Sequence, residues 1–266
     1  MPLQPLRPTN QKPWSMLIHQ SYQITLKSVL KGGIILGGNI VAWTMSTVIW
    51  FLTGNEGKLA EATQHLGPLG YEVRQLSLPK GTIVEPQLDT LEEVAIAKLE
   101  QAKQHLPTGD THIMVEDAGL FVNPLDGFPG VYSSHAFKTI GNPGLLRLLS
   151  HLQSEDPVQA ASLRSASFQA VAALWDGSRV ILGSGVCPGA IASTVSGEEG
   201  FGFDPIFVPL DLDEFGQPLP PGVYGTTSTH GATFGSVPQT TKQIFSHRRR
   251  ALDALVAELS SQSEHE

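Results

Sequence analysis

Apolar positions change period along this chain, and the changes mark its elements. Val48, Ile49, Trp50, Phe51 and Leu52 form an unbroken β-branched and aromatic run, the pattern of a buried strand, after which Leu59, Ala62 and Leu66 recur at helical spacing. A second strand is predicted over residues 71–78. A long helix is predicted over 88–106, opened by Asp89, Glu92 and Glu93, whose charges suit a helix N-terminus. Its apolar stripe of Leu88, Leu91, Ala95, Ala102 and Leu106 takes in Lys98, a position that requires either a stem lying on the core with its head in water or an anion to meet.

Further on, residues 112–115 predict a buried strand ending in Glu116 and Asp117. A Gly- and Pro-rich loop follows over 123–131, then a helix over 143–152. Residues 165–175 and 179–186 read as two strands joined at Asp176-Gly177, a strong hairpin signal. The stretch 209–238, full of Gly, Pro, Ser and Thr, reads as a long surface loop. One final helix is predicted over 240–259, with Ile244, Ala251, Leu252, Leu255 and Leu259 as its buried stripe. Alternating strand and helix signals indicate the α/β class.

The first 44 residues break this pattern. Pro2, Pro5, Pro8 and Pro13 precede a Gly-rich apolar segment over 32–43 that is too short, and too interrupted by Gly37, Gly38 and Asn39, for a membrane span. No small-residue cleavage site marks a targeting peptide. The chain is therefore expected to comprise an extension, 1–44, and a folded domain, 45–266, with Met45 a candidate for the true start.

With 266 residues and 41% hydrophobic content the chain can bury a sizeable core. Its 17 basic and 25 acidic residues give a net charge of -8, which disfavours wrapping a polyphosphate backbone but leaves room for a local anion pocket. Cys187 is the only cysteine, which excludes an internal disulfide and a multi-cysteine metal site and points to a reducing, cytoplasmic setting. An inert core thiol is the expected role for it.

Thr53-Gly54-Asn55-Glu56-Gly57-Lys58 lies where strand gives way to helix. Unpaired N–H groups of a first helical turn, glycine and a lysine suit a phosphate there, although a plain cap by Thr53 or Asn55 explains the same residues. Glu116 and Asp117, as strand neighbours, should face opposite sides, so at most one is expected in a given pocket. Phosphates at one strand end and carboxylates at another suggest Mg²⁺ between them, with Glu85 as a further ligand; salt bridging is the alternative. Arg248 falls on the inner face of the last helix and demands an anion, which a nucleotide or an internal salt bridge would supply. His247 beside it would donate to a base carbonyl or cap the core. Gly200-Phe201-Gly202-Phe203-Asp204-Pro205 alternates ring and glycine, as a run that lays a ring on a planar ligand does, or as a tight turn does.

In this order, Thr53 to Lys58, Leu91-Glu92-Glu93-Val94 with Lys98, Val115 to Leu120, Gly127-Phe128-Pro129-Gly130-Val131-Tyr132-Ser133, and Gly200 to Pro205 followed by Ser246-His247-Arg248 resemble the inosine triphosphate pyrophosphatase family, from about Ser46 to Leu259. The resemblance implies two α/β lobes around a mixed, twisted sheet with a central substrate cleft, usually a homodimer. It also implies Mg²⁺-dependent hydrolysis of ITP, dITP and XTP to monophosphate and pyrophosphate. Carried over by position, Thr53, Gly54, Asn55, Glu56, Gly57 and Lys58 would hold the triphosphate with Lys98 and Lys242. Asp117 would be the catalytic acid-base and a metal ligand, aided by Glu116 and Glu85, and Ala118 would touch substrate through its backbone. Phe201, Gly202, Phe203, Asp204, His247 and Arg248 would form the base pocket. The chain departs from the pattern at Ser134 and His135, where some relatives carry a basic residue, and in its long 209–238 loop. A pyrophosphatase for modified pyrimidine or methylated nucleotides, and a non-catalytic nucleotide sensor, are the competing functions.

Overall fold

The computed structural model describes residues 34–36, 39–41 and 47–260. The chain divides into two compact units, Met1–Met45 and Ser46–Glu266. In the first, β1 (Ile34–Leu36) and β2 (Asn39–Val41) pair antiparallel. The remaining expectations for residues 1–44 fall outside the described residues.

The second unit is built on a six-stranded sheet. Its strands are β3 (Thr47–Leu52), β4 (Tyr71–Leu76), β5 (His112–Val122), β6 (Ser165–Trp175), β7 (Val180–Ile191) and β8 (Phe207–Pro209), in the order β4-β3-β5-β6-β7-β8. Pairings β4-β3-β5 are parallel and the rest antiparallel, so the sheet is mixed. Seven helices are described: α1 (Glu56–Leu66), α2 (Leu91–Lys103), α3 (Ser133–Thr139), α4 (Gly141–Leu148), α5 (Pro157–Leu163), α6 (Gln239–Phe245) and α7 (His247–Ser260). Asn55 caps α1 by accepting from the Lys58 N–H at 3.1 Å, and Thr90 with Glu93 forms a reciprocal capping box on α2.

Period-two alternation gives the sheet two apolar faces. Ile49, Phe51, Met114, Ala170, Ala172 and Leu174 face α1 and α7, where Ala62, Leu66, Leu252 and Leu255 cover them. Ile113, Val115, Val171 and Ala173 pack on the other face against Leu91, Ala95, Leu99 and Ala102 of α2. Beyond this core β5 and β6 run into a second lobe, where Leu120, Val122 and Ala166 join Leu145, Leu149, Phe207, Phe234 and Phe245. Helix α7 lies directly on β7, because Gly183 and Gly185 leave no side chain between them. A Cβ at Gly185 would stand 2.1 Å from the His247 carbonyl oxygen.

Two expectations are corrected. The strand expected to stop at Glu116-Asp117 continues to Val122, because β6 pairs with it along its whole length and the run Ala118 to Val122 fits the second core. The last helix is two helices. Ser246 takes an extended ψ of 119°, and its hydroxyl accepts from the Arg249 N–H at 3.2 Å, capping α7. The break also takes Ile244 out of the buried stripe, leaving it half exposed. Helices α3 and α5 have no counterpart among the sequence expectations, although Asp156 as N-cap and Pro157 at the first helical position mark α5. The 209–238 segment is largely loop, pinned by bridges of Leu212 to Pro218 and Thr227.

Candidate active site

Where the sheet passes from the first core to the second lobe, a cavity of about 760 Å³ opens, within the range of small-molecule sites. The end of β3, helix α1, the loop after β4, the middle of β5, helix α3, the 201–204 turn and the α6–α7 junction border it.

Glu116 and Asp117 occupy its floor. Alternation sends Glu116 toward α1 and α7, where its Oε2 accepts from Arg248 Nε at 2.8 Å and its Oε1 stands 3.5 Å from Lys58 Nζ. Asp117 goes toward α2, where its Oδ1 accepts from Lys98 Nζ at 3.2 Å. The strand rule therefore holds for direction, but the expectation of only one carboxylate in the pocket fails. The cavity cuts through the end of the first core and reaches both sides of β5, so both residues line it. Lys98 also donates to Glu85 Oε1 at 2.9 Å, so the lysine embedded in an apolar stripe has its anions. Arg248 is buried and further donates to Glu61 Oε2 at 2.9 Å; the internal salt bridge is the reading realised here.

The two neighbouring carboxyls are driven apart electrostatically. Burial raises Asp117 above the ordinary carboxylate range, and the charges of Lys98 and Lys58 only partly oppose it. Burial acts on Glu116 in the same sense but is outweighed by Lys58 and Arg248, which hold it below that range. Such a split is how one site acquires a proton acceptor beside a permanent anion. Burial also depresses Lys98, yet Asp117 and Glu85 more than restore it, so this ammonium stays charged.

At the α6–α7 junction His247 is buried and stacks on Phe168, ring centroids 5.1 Å apart and 14° from parallel. Burial, followed by the charges of Arg248, Lys242 and Lys58, lowers its pKa well below the ordinary value, so the ring is neutral. Its Nδ1 is buried without a hydrogen-bond partner. Asp204 accepts from the Phe201 N–H at 2.7 Å and from Lys242 Nζ, closing the 200–204 turn. Phe203 is buried, whereas Phe201 is 55% exposed with the Lys242 ammonium 4.8 Å from its ring centre.

Of the residues expected at the site, Thr53, Gly54, Asn55, Lys58, Glu85, Lys98, Glu116, Asp117, Ala118, Phe201, Gly202, Phe203, Asp204, Lys242, His247 and Arg248 all line this one cavity. Glu56 and Gly57 do not. They are exposed on the first turn of α1, which carries them round the helix axis away from the wall. Glu85, Glu116 and Asp117 do not form a joint cage: among the described residues no three His, Cys, Asp or Glu side chains are gathered as a metal would need. Lys98 stands between Glu85 and Asp117 instead. A hard cation nevertheless fits the floor, because Glu116 Oε1 is buried and accepts no hydrogen bond, and carboxylate oxygens plus ligand phosphates are the donor set Mg²⁺ prefers. Cys187 is buried, its thiol pushed up to about 12 by burial, and so is no nucleophile.

Sequence reading passed over Glu61 and Phe168. Glu61 follows Lys58 by one helical turn, a spacing that places both on one face of α1. Phe168 shares a face of β6 with Ala170 and Ala172, but nothing in β6 announces the histidine about 80 positions later. The glycine at 119 is explained by packing. A Cβ there would stand 2.3 Å from the Gly130 carbonyl oxygen, and Ser133 Oγ bonds both Leu120 N–H (2.8 Å) and Gly130 C=O (2.7 Å), fastening the Pro-Gly loop to β5 just past Asp117.

Comparison with known proteins gives one consistent result. The sequence model of the Ham1 family matches residues 49–258. The chain is 40% identical over 202 residues to the dITP/XTP pyrophosphatase of Thermococcus kodakarensis, covering 76% of this chain and 91% of that protein. It is 34% identical over 219 residues to the dITP/XTP pyrophosphatase of Ignicoccus hospitalis, covering 82% and 100%. Among solved structures it resembles the Ham1 protein of Staphylococcus aureus, with TM-score 0.60, 27% identity, and 81% and 99% of the two chains covered.

Proposed function

The chain belongs to the Ham1 family, and on that premise we propose that it hydrolyses the non-standard purine triphosphates ITP, dITP and XTP to the monophosphate and pyrophosphate, clearing deaminated purines from the nucleotide pool. One observation supports this most directly. A single cavity holds both a cluster suited to a triphosphate, Lys58 and Lys98 around Glu116 and Asp117, and a ring-lined pocket with a neutral histidine suited to a base.

In this reading Asp117 takes a proton from the attacking water, the role that its raised basicity suits, and in-line attack falls on the α-phosphorus. Lys58 and Lys98 neutralise charge that gathers on the departing pyrophosphate. Glu116 holds Lys58 and Arg248 in register. Glu116 and Asp117, with Glu85 at the edge, are the residues that would hold Mg²⁺, which when bound would polarise phosphate oxygens and make water a better nucleophile. Neutral His247, kept flat by Phe168, and the backbone N–H groups of His247 and Arg248 at the start of α7 would donate to a keto oxygen at C6. Adenine puts an amino group there. Donor would face donor, and unpaired buried polar groups cost a few kcal/mol, or about a hundredfold in preference. The single cysteine suits a reducing cytoplasm, and no described helix is long and apolar enough to cross a membrane.

A panel of dITP, XTP, dATP, dUTP and a methylated nucleotide, assayed for pyrophosphate with Mg²⁺, tests the reading. Preference for dITP and XTP supports it, and preference for dUTP or no turnover rejects it. Asp117→Asn is expected to fold normally and to lose three or more orders of magnitude in rate, on the order of what removing an essential base beside a metal does. Pyrophosphate release within tenfold of the unaltered chain would remove Asp117 from the mechanism.

A further inference from the structure

The charges on the cavity wall do not all face the substrate on equal terms. Six cationic side chains line it, Lys58, Lys80, Lys98, Lys138, Lys242 and Arg248, against five carboxylates, Glu61, Glu85, Glu116, Asp117 and Asp204. Four of the cations are already engaged. Lys58 pairs with Glu116, Lys98 with Glu85 and Asp117, Lys242 with Asp204, and Arg248 with Glu116 and Glu61. With every carboxylate ionised, the engaged cations are outnumbered by the acids around them. The wall without its other two lysines would be net negative, in a chain whose overall charge is -8. A nucleoside triphosphate carries about four negative charges and would be repelled by both.

Lys80 and Lys138 reverse that sign. Both are exposed on the cavity wall, and among the described residues neither makes an ion pair. They come from separate elements. Lys80 stands in the loop after β4, in a turn closed by the Thr82 N–H on the Pro79 carbonyl at 3.1 Å. Lys138 stands on α3, one helical turn beyond Ser134, so that both residues share a face and both line the cavity. Lys138 also acts on a carboxylate of the inner cluster. Burial tends to raise the Glu85 carboxyl, yet Lys98, Lys58 and Lys138 together hold it below the ordinary range, which places the Lys138 charge within reach of the Lys98–Asp117 cluster.

We propose that Lys80 and Lys138 are the capture pair for the substrate's terminal phosphates: two unengaged ammonium groups on separate elements that attract the polyphosphate tail and hold its outer end while the engaged lysines serve the reacting phosphorus. The inference rests on the proposed function and adds the selection of tri- over monophosphates. A monophosphate product reaches only the inner cluster, so it loses the pair's attraction and leaves.

The probe is inorganic tripolyphosphate, titrated calorimetrically without metal, beside steady-state dITP hydrolysis with Mg²⁺ at several salt concentrations. The chains compared are the unaltered protein, the double variant Lys80→Gln/Lys138→Gln, and Lys103→Gln. Lys103 stacks on Trp175, pairs with Glu100 and is absent from the cavity wall, so it serves as the control. The double variant is expected to bind tripolyphosphate about tenfold more weakly, to raise KM for dITP by a similar factor with a much smaller change in kcat, and to lose most of the salt dependence of kcat/KM. The control is expected to match the unaltered chain. Undetectable tripolyphosphate binding by the unaltered chain, or affinity and salt dependence in the double variant within twofold of it, overturns the capture pair. Failure of the unaltered chain to hydrolyse dITP counts against the proposed function and is read from a separate column of the same experiment.

Discussion

Glu116 and Asp117 are neighbours in sequence and opposites in chemistry. One peptide unit of a strand turns them to opposite faces, where α1 and α7 give Glu116 two cations and α2 gives Asp117 one. His247 has a comparable environment effect with a measurable consequence for stability. Its pKa in the fold lies well below the ordinary 6.5, chiefly through burial. Between the two values the unfolded chain binds more protons than the folded one, so stability is fully present above pH 6.5 and is lost as pH falls below it, by up to about 1.4 kcal/mol per unit. The half-buried His112 ring, also depressed by burial, adds in the same direction. Urea denaturation between pH 7.5 and 5.5 should therefore show a midpoint that drops on acidification. His247→Gln should show a distinctly shallower drop. Parallel curves for the two chains would mean that His247 is solvated in the fold.

At the scale of elements, the base pocket depends on how closely α7 approaches β7. Gly183 and Gly185 permit that approach, and Gly185 lies beneath the His247 and Ala251 backbone. In Gly185→Ala the new methyl would meet the His247 carbonyl at 2.1 Å and the Ala251 nitrogen at 2.4 Å, backbone atoms that move only with the helix. The expected result is a loss of about 1–3 kcal/mol of stability, as overpacking gives, together with a reduced preference for dITP over dATP as His247 shifts. Gly67→Ala is the comparison. Its φ of -55° suits alanine and nothing lies within 4 Å of the added atom, so thermal melting should change little. Unchanged selectivity in Gly185→Ala would show that α7 accommodates the methyl without moving its first turn.

For the whole molecule, the division between Met1–Met45 and Ser46–Glu266 frames the last prediction. Among the described residues, those of the six-stranded sheet, the three apolar clusters and the cavity wall all follow Met45. A chain beginning at Met45 is accordingly expected to melt within a few degrees of the full chain and to keep its dITP hydrolysis. We propose that the chain pairs as a homodimer, as its resemblance to the inosine triphosphate pyrophosphatase family implies. Sedimentation of the shortened chain should then give a dimer. A soluble monomer would remove the dimer, and loss of cooperative melting would return the first 44 residues to the folded domain.

The sequence by itself determined those features that depend on local order. The β3–α1 turn, the capping box of α2, the Asp176-Gly177 hairpin and the α/β alternation are each written in a few consecutive residues, and the ordered motifs name sixteen residues that the fold gathers on one wall. Long-range pairing decided the rest. Periodicity could not show that β5 continues past its carboxylates, because β6, some fifty positions later, supplies the partner. It could not show that Ser246 breaks a helix pattern to aim His247, or that Lys98 meets Asp117, Arg248 meets Glu61 and Phe168 stacks on His247. Whether a charged side chain finds a phosphate, a carboxylate or water depends on distances between elements, and those exist only once the chain has folded.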